Sequence, residues 1–367
     1  MTNTKRLSVR QLCFIIITLF SVSKFYVLPA FVSGLSKEAG WMATSVNFAL
    51  DYLILFACLI AVKNTDKTLY ESSTEIFGKP LTNLTFILYA VYFIIKAFVP
   101  LLEQKNTISL TFYDSQPTLL IFMPFFIVAF YIAKKGVNAF SRSVEILLWV
   151  FALALLIIFA LSIPAGKYQA LLPFSQPPSR VFKGFYGNLI WFGDPVIVLF
   201  LGDYLTEKKK LIKKCTISFI ISAVITISLI VVFYAIFDSI AERQYYAPIK
   251  MSKYSITLSN IGRLDYLGSI LFSLISIYSI TLYLLLATEI VNKVFKFYNN
   301  NFFVPLAITT IEALLIFFFQ NEIFTSIAFV QKYFQPFFIV MAYLLPLVFT
   351  IATVIWKNKR RQNVQAC

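Results

Sequence analysis

The sequence predicts an all-α, polytopic membrane protein of ten transmembrane helices. Composition is the first reason: of 367 residues, 59% are hydrophobic and 13% charged, with 40 Phe and 20 Tyr. So few polar residues cannot coat the surface of a soluble domain. The second reason is the recurrence of apolar runs of about 20 residues, the length a helix needs to cross ~30 Å of hydrocarbon. The third is the lack of short alternating segments, so helices rather than strands must satisfy the backbone within the bilayer.

Ten spans follow in order. The first five cover Leu12–Leu35, Trp41–Val62, Leu81–Leu102, Pro117–Ile132 and Phe140–Ile163. The second five cover Val181–Leu205, Ile212–Phe237, Leu264–Phe295, Phe302–Phe319 and Tyr333–Trp356. Span 1 follows Lys5, Arg6 and Arg10 like a signal peptide, but it continues past Lys24 without a small-residue cleavage site. It reads as an uncleaved helix. Between spans 2 and 3, Asp66–Gly78 is expected to form a short interfacial helix, whereas Pro164–Arg180 and Asp238–Arg263 are long connections. No separate soluble domain fits, so 1–367 is one transmembrane domain, with one half at about 12–163 and the other at about 181–356.

Charge sets the expected orientation. With the N-terminus cytoplasmic, that side holds 20 of the 32 Lys and Arg; the other side holds 10, and Lys24 and Lys96 lie within helices. The bias places both termini in the cytoplasm. Lys208, Lys209, Lys210, Lys213 and Lys214 are the strongest local anchor. The net charge of +15 therefore reads as topology and contact with anionic lipid, not nucleic acid, since the cations are spread over several loops and no nucleic-acid motif is present. The chain has no histidine, and Cys13, Cys58, Cys215 and Cys367 are scattered. Neither a metal site nor a cofactor is expected, and no nucleophile–base pair suggests an enzyme.

The informative chemistry is ionisable and lies at mid-membrane, where a charge costs at least a few kcal/mol unless paired or solvated. Span 1 carries Lys24, span 2 Asp51, span 3 Lys96 and, nearer its far end, Glu103; span 6 carries Asp194. Two cations and two anions share one depth. They form either a structural salt-bridge cluster or a site that touches a ligand or carries a proton.

Span 6 reads Trp191-Phe192-Gly193-Asp194-Pro195. Glycine is flexible, and proline lacks an N–H and clashes with the preceding turn. Asp before Pro also suits a helix start, with Asp as cap and Pro in the first turn. A break is expected there, restarting at Pro195, with Trp191 and Phe192 beside any bound ligand. Span 1 has Ser21-Val22-Ser23-Lys24 and then Pro29, an irregular stretch at the corresponding place. An odd number of helices per half inserts the halves in opposite directions. Breaks at matching positions of inverted halves mark a transporter's central site.

Smaller signals are Ser269, Ser273 and Ser276 on one face of span 8, read as close packing or an ion or ligand site. Arg142 and Glu145, one turn apart in span 5, read as a structural or gating pair. Glu312 in span 9 has no evident partner.

Several motifs together resemble the B subunit of bacterial spore germinant receptors, within the amino acid–polyamine–organocation transporter superfamily. They are Leu28-Pro29 then Gly40-Trp41; Gly136 with Ser141-Arg142-Ser143-Val144-Glu145-Ile146; Leu172-Pro173; and Arg263-Leu264-Asp265-Tyr266. The resemblance covers nearly the whole chain. It implies two inverted five-helix repeats in a LeuT-like fold, with helices 1 and 6 unwound around a small-molecule site. It also implies an amino-acid-type ligand, A-type and lipoprotein C-type partner subunits, and a bacterial cell membrane or inner spore membrane. One departure stands out: the family often has glycines in the helix 1 break, and here it reads Ser-Val-Ser-Lys. Lys24 fills ligand space, replaces a coupling sodium ion, or binds a ligand carboxylate. The expected function is recognition of an amino-acid-type solute by a receptor subunit; the alternative is a proton-coupled amino-acid transporter acting alone.

Overall fold

The computed structural model describes residues 7–65, 67–112, 118–173, 175–254, 264–297, 302–319 and 323–365. Lys5, Arg6, Asp66, Arg263 and Cys367 lie outside the described residues, as do the side chains of Asp265, Tyr266 and Ser269. Among the described residues, seven helical runs are long and apolar enough to cross a membrane, and Val9–Val22 and Phe303–Phe318 are shorter apolar helices. A helix lies in every one of the ten expected spans.

Span 1 is two helices. α1 (Val9–Val22) opens with a capping box in which Ser8 accepts from the Gln11 N–H and the Gln11 side chain accepts from the Ser8 N–H. α2 (Leu28–Ser36) restarts with Pro29 in its first turn, where a missing N–H costs nothing. α3 (Gly40–Asn64) is span 2, and α4 (Leu69–Phe77) is the short helix expected in the following connection. α5 (Lys79–Phe112) extends span 3 to 34 residues and carries Pro100 in its interior, so the carbonyl of Lys96 loses its helical partner. α6 (Thr118–Lys135) and α7 (Val137–Ser162) complete the first half.

Span 6 is broken. α8 (Pro178–Gly187) runs into a 3-10 stretch at Asn188–Trp191, Phe192 is extended, and Gly193 is left-handed at φ 86°. A 3-10 turn at Asp194–Val196 then leads to α9 (Ile197–Leu201). The expected cap is displaced by one residue: Gly193 occupies the cap and Asp194 is the first residue of the turn. The Asp194 side chain bonds no backbone N–H at this start, because its carboxylate is drawn to buried cations instead.

α10 (Leu211–Phe237) follows, then α11 (Ala247–Tyr254), α12 (Leu264–Phe295) and α13 (Phe303–Phe318). Span 10 starts about ten residues earlier than expected. It runs as α14 (Ile323–Ile339), a π-helical turn at Val340–Leu344, and α15 (Leu345–Gln365). Pro346 explains the π turn: it cannot donate to the Ala342 carbonyl, and widening the preceding turn relieves its ring.

α5 packs chiefly against α12, and α1 against α10. Both described ends of the chain lie at one end of the bundle. Leu7 bridges Leu205, Lys208 donates to the Val62 carbonyl at 2.6 Å, and Lys357 donates to Asn64 at 3.2 Å. At the same end Lys293 pairs with Asp203 at 2.7 Å, and the Tyr204 hydroxyl donates to Glu289 at 2.7 Å. The opposite end is fastened by Arg180–Glu38 at 2.8 Å and by Ala247 N–H donating to the Tyr26 carbonyl at 3.0 Å.

Candidate functional site

The breaks in spans 1 and 6 face each other at the centre of the bundle. Lys24 lies in the non-helical stretch between α1 and α2, and its ammonium meets Asp194 Oδ2 at 2.5 Å with both side chains fully buried. It also donates to Ser23 Oγ at 3.2 Å and lies 4.9 Å from the centre of the Phe192 ring. Lys96 of α5 is 3.3 Å from Asp194 Oδ1. Tyr283 of α12 donates to that same oxygen at 2.7 Å.

The second carboxylate works on the break itself. Asp51 of α3 accepts the Gly193 N–H at 3.1 and 3.2 Å and the Tyr343 hydroxyl at 3.0 Å. The carbonyls released where the helix opens are also occupied. Lys96 donates to Phe192 O at 2.5 Å and to Ile190 O at 3.0 Å. Tyr92 donates to Gly193 O at 3.2 Å. A break at this depth leaves N–H and C=O groups that hydrocarbon cannot satisfy, and here the protein's own Asp, Lys and Tyr side chains satisfy them.

The four charges sum to zero. Burying an ion costs several kcal/mol, which close pairing and full hydrogen bonding must offset. The arrangement meets both conditions for Lys96 and Asp194, whereas Asp51 is held by hydrogen bonds from Gly193 and Tyr343 and, among the described residues, pairs directly with no cation. Lys24, with three N–H donors, uses two in these contacts and turns an ammonium face to Phe192.

A family model described as a spore germination protein, the spore permease family, matches residues 6–325. The chain belongs to that family. It is 23% identical over 375 residues to spore germination protein KB of Bacillus subtilis (strain 168), covering 98% of this chain and 97% of that protein. The crystal structure of MhsT in complex with L-phenylalanine superposes with a TM-score of 0.64 at 13% identity, over 95% of this chain and 99% of MhsT. The fold is LeuT-like and the chain is an integral membrane protein of permease type.

In this spore permease, Ser23, Lys24, Phe192, Gly193 and Asp194 come together with Asp51 and Lys96 at the two breaks. Ser21 does not join them. Its hydroxyl donates to Ile17 O at 2.8 Å and lies 3.0 Å from Ser222 Oγ on α10, because the last regular turn of α1 points it outward from the break. Glu103 also stands apart from the four-charge cluster. It lies seven residues beyond Lys96, a helical rise of ~10 Å, and accepts the Trp191 indole N–H at 2.8 Å. Trp191 therefore turns to α5 and packs on Phe31, their ring centres 4.9 Å apart.

Ser273 and Ser276 are buried on α12, Ser273 with no hydrogen-bond partner. Glu312 of α13 is likewise buried without a partner. Arg142 and Glu145 do not pair: Glu145 meets Arg10 of α1 at 2.7 Å. A pair one turn apart is worth only a few tenths of a kcal/mol, so a guanidinium reaching from the next helix displaces it. Both partners of the Arg10–Glu145 bridge are well exposed, and such pairs contribute ~0–1 kcal/mol. Glu145→Gln is accordingly expected to leave the thermal midpoint of the purified protein nearly unchanged, checked by a melting curve at low and high salt.

Tyr92, Tyr283 and Tyr343 were not legible as members of the cluster. Twenty tyrosines offer no contrast by type. The one local signal is Pro346, whose π turn carries Tyr343.

Proposed function

We propose that this chain is the B-type subunit of a spore germinant receptor and binds a small amino-acid-type solute at mid-membrane between helices 1 and 6. The observation that carries the reading is the meeting of two helix breaks at a buried Lys24–Asp194 pair. Discontinuous helices at mid-membrane are where transporters of this architecture hold their solutes. A zwitterion can enter beside an ion pair without changing the net charge of the core, whereas a lone ion cannot. The L-phenylalanine in MhsT supports the same solute class. On this reading residues 12–163 and 181–356 are two inverted repeats of one domain, both termini are cytoplasmic, and the membrane is the cell membrane or the inner spore membrane. Solute binding shifts the relative positions of the repeats and passes the change to A-type and lipoprotein C-type subunits.

Proteoliposomes containing the purified chain test this against the transporter acting alone. Saturable binding of at least one labelled L-amino acid without accumulation in the lumen is expected. Accumulation driven by a proton gradient would support the transporter instead. Failure of every proteinogenic L-amino acid to bind would overturn the assignment of the solute class.

A further inference from the structure

Within the central cluster Asp194 has no acceptor left for an ammonium group, and Asp51 shares a neutral core with Lys24 and Lys96. Asp194 already accepts from Lys24, Lys96 and Tyr283, and Asp51 from Gly193 and Tyr343. The carbonyls of Ile190, Phe192 and Gly193 are taken by Lys96 and Tyr92. The protein supplies its own two cations where an amino group would sit.

A different acceptor lies about two turns along α5, toward the end of the bundle away from the described chain ends. Glu103 is buried, accepts the Trp191 indole N–H, and lies against the Val27 backbone in the helix 1 break. Among the described residues, no Lys or Arg pairs with it. Around it the polar groups are incomplete. Tyr26 and Ser273 are 2% and 8% exposed. Tyr26 precedes Val27 in the helix 1 break, and Tyr26 Oη and Ser273 Oγ on α12 are both without a hydrogen-bond partner. Tyr246, at the start of the segment that leads into α11, closes the same region from the far end of the bundle.

A buried carboxylate with no cation, beside two unpartnered hydroxyls, is complementary to an ammonium, which brings one positive charge and three donors. We infer that Glu103 is the seat for the solute's ammonium group, with Tyr26 and Ser273 accepting its remaining N–H bonds. This rests on the amino-acid-type solute proposed above. The solute's carboxylate then points back to the ammonium face that Lys24 turns toward Phe192. The binding position is thus shifted from the Lys24–Asp194 pair toward the far end of the bundle, and recognition of the amino group belongs to α5 rather than to the broken span 6.

The test uses the purified chain in lipid nanodiscs, with each proteinogenic L-amino acid and its deaminated carboxylic acid as probes. For the amino acid that the wild type binds, Glu103→Gln is expected to weaken binding roughly 10- to 100-fold, the range of a hydrogen bond to a charged group. The same change should leave affinity for the deaminated acid unaltered, and Glu103→Asp should restore part of the loss. Equal affinity of wild type and Glu103→Gln for the amino acid overturns the assignment of Glu103 and leaves the solute class standing. Equal weakening for both probes also overturns it, because that is the mark of a purely structural role. Absence of amino-acid binding by the wild type overturns the solute class itself, and this assignment with it. Should Glu103→Gln fail to yield monodisperse protein, Tyr26→Phe decides, with roughly a 3- to 10-fold loss expected for the amino acid alone and no selective loss counting against the proposal.

Discussion

Asp194→Asn is expected to be the most damaging single substitution in the chain, and its harm should be relieved by a second substitution. Asparagine keeps the shape and one acceptor but removes the charge that neutralises Lys24 at 2.5 Å and faces Lys96 at 3.3 Å. The buried cluster then holds two cations against Asp51 alone. Removing one partner of a buried pair typically costs about 3–5 kcal/mol, most of it from the charge left uncompensated. Lys24→Met leaves the opposite imbalance, with Asp51 and Asp194 facing only Lys96. The double variant returns to one cation and one anion. Its thermal midpoint should therefore lie above that of either single variant, a non-additivity that a double-mutant cycle reads directly. Losses that simply add would show that the four charges do not act as one neutral set. Solute binding should be lost in both single variants, because Lys24 and Asp194 hold the two breaks together.

How far the sequence foretold this cluster depends on the kind of signal. Lys24, Asp51, Lys96 and Asp194 were legible because a charge within an apolar run is conspicuous, and position along the helix gives its depth. Gly193 and Pro195 announced the helix break because backbone restrictions are local. Ten spans were legible for the same reason: hydrocarbon thickness fixes helix length. What could not be read is azimuth. Ser21 and Ser23 are two residues apart, yet one bonds across to Ser222 on α10 and the other faces Asp194 at 3.5 Å. Which faces inward depends on where α1 stops being helical. Glu103 is legible as a charge nearer the far end of span 3, but only the packing shows that it accepts the Trp191 indole N–H. Glu145 shows the same limit: sequence proximity favoured Arg142, whereas Arg10 arrives from a helix 135 residues away in the chain. Tertiary packing decides such pairings, and it leaves no trace in local spacing.

The break itself supplies the second large effect. Gly193 is left-handed at φ 86°, and a Cβ built on it would lie 2.5 Å from Ala342 Cβ and 3.2 Å from the Tyr92 hydroxyl. An alanine there meets two separate penalties. The left-handed backbone costs ~1–2 kcal/mol for an L-residue with a side chain. The contact with Ala342 comes on top, and overpacking in a tight core typically adds about 1–3 kcal/mol. Ala342 cannot swing aside, since its Cβ is fixed to the π turn of Val340–Leu344. Either helix must move, and movement at Gly193 pulls its N–H from Asp51 and its carbonyl from Tyr92. Gly193→Ala should therefore lower the melting midpoint clearly, and a second substitution separates the two penalties. Adding Ala342→Gly to Gly193→Ala opens the contact while leaving the backbone penalty, and should recover part of the loss, less the ~1 kcal/mol that glycine costs within a helix. The same pair should partly restore solute binding, because the distance between the π turn and the break sets where Asp194 stands relative to Lys24. If the double variant melts no higher than Gly193→Ala, the close approach of the π turn to the break carries no energetic weight, and the broken helix is held by its charges alone.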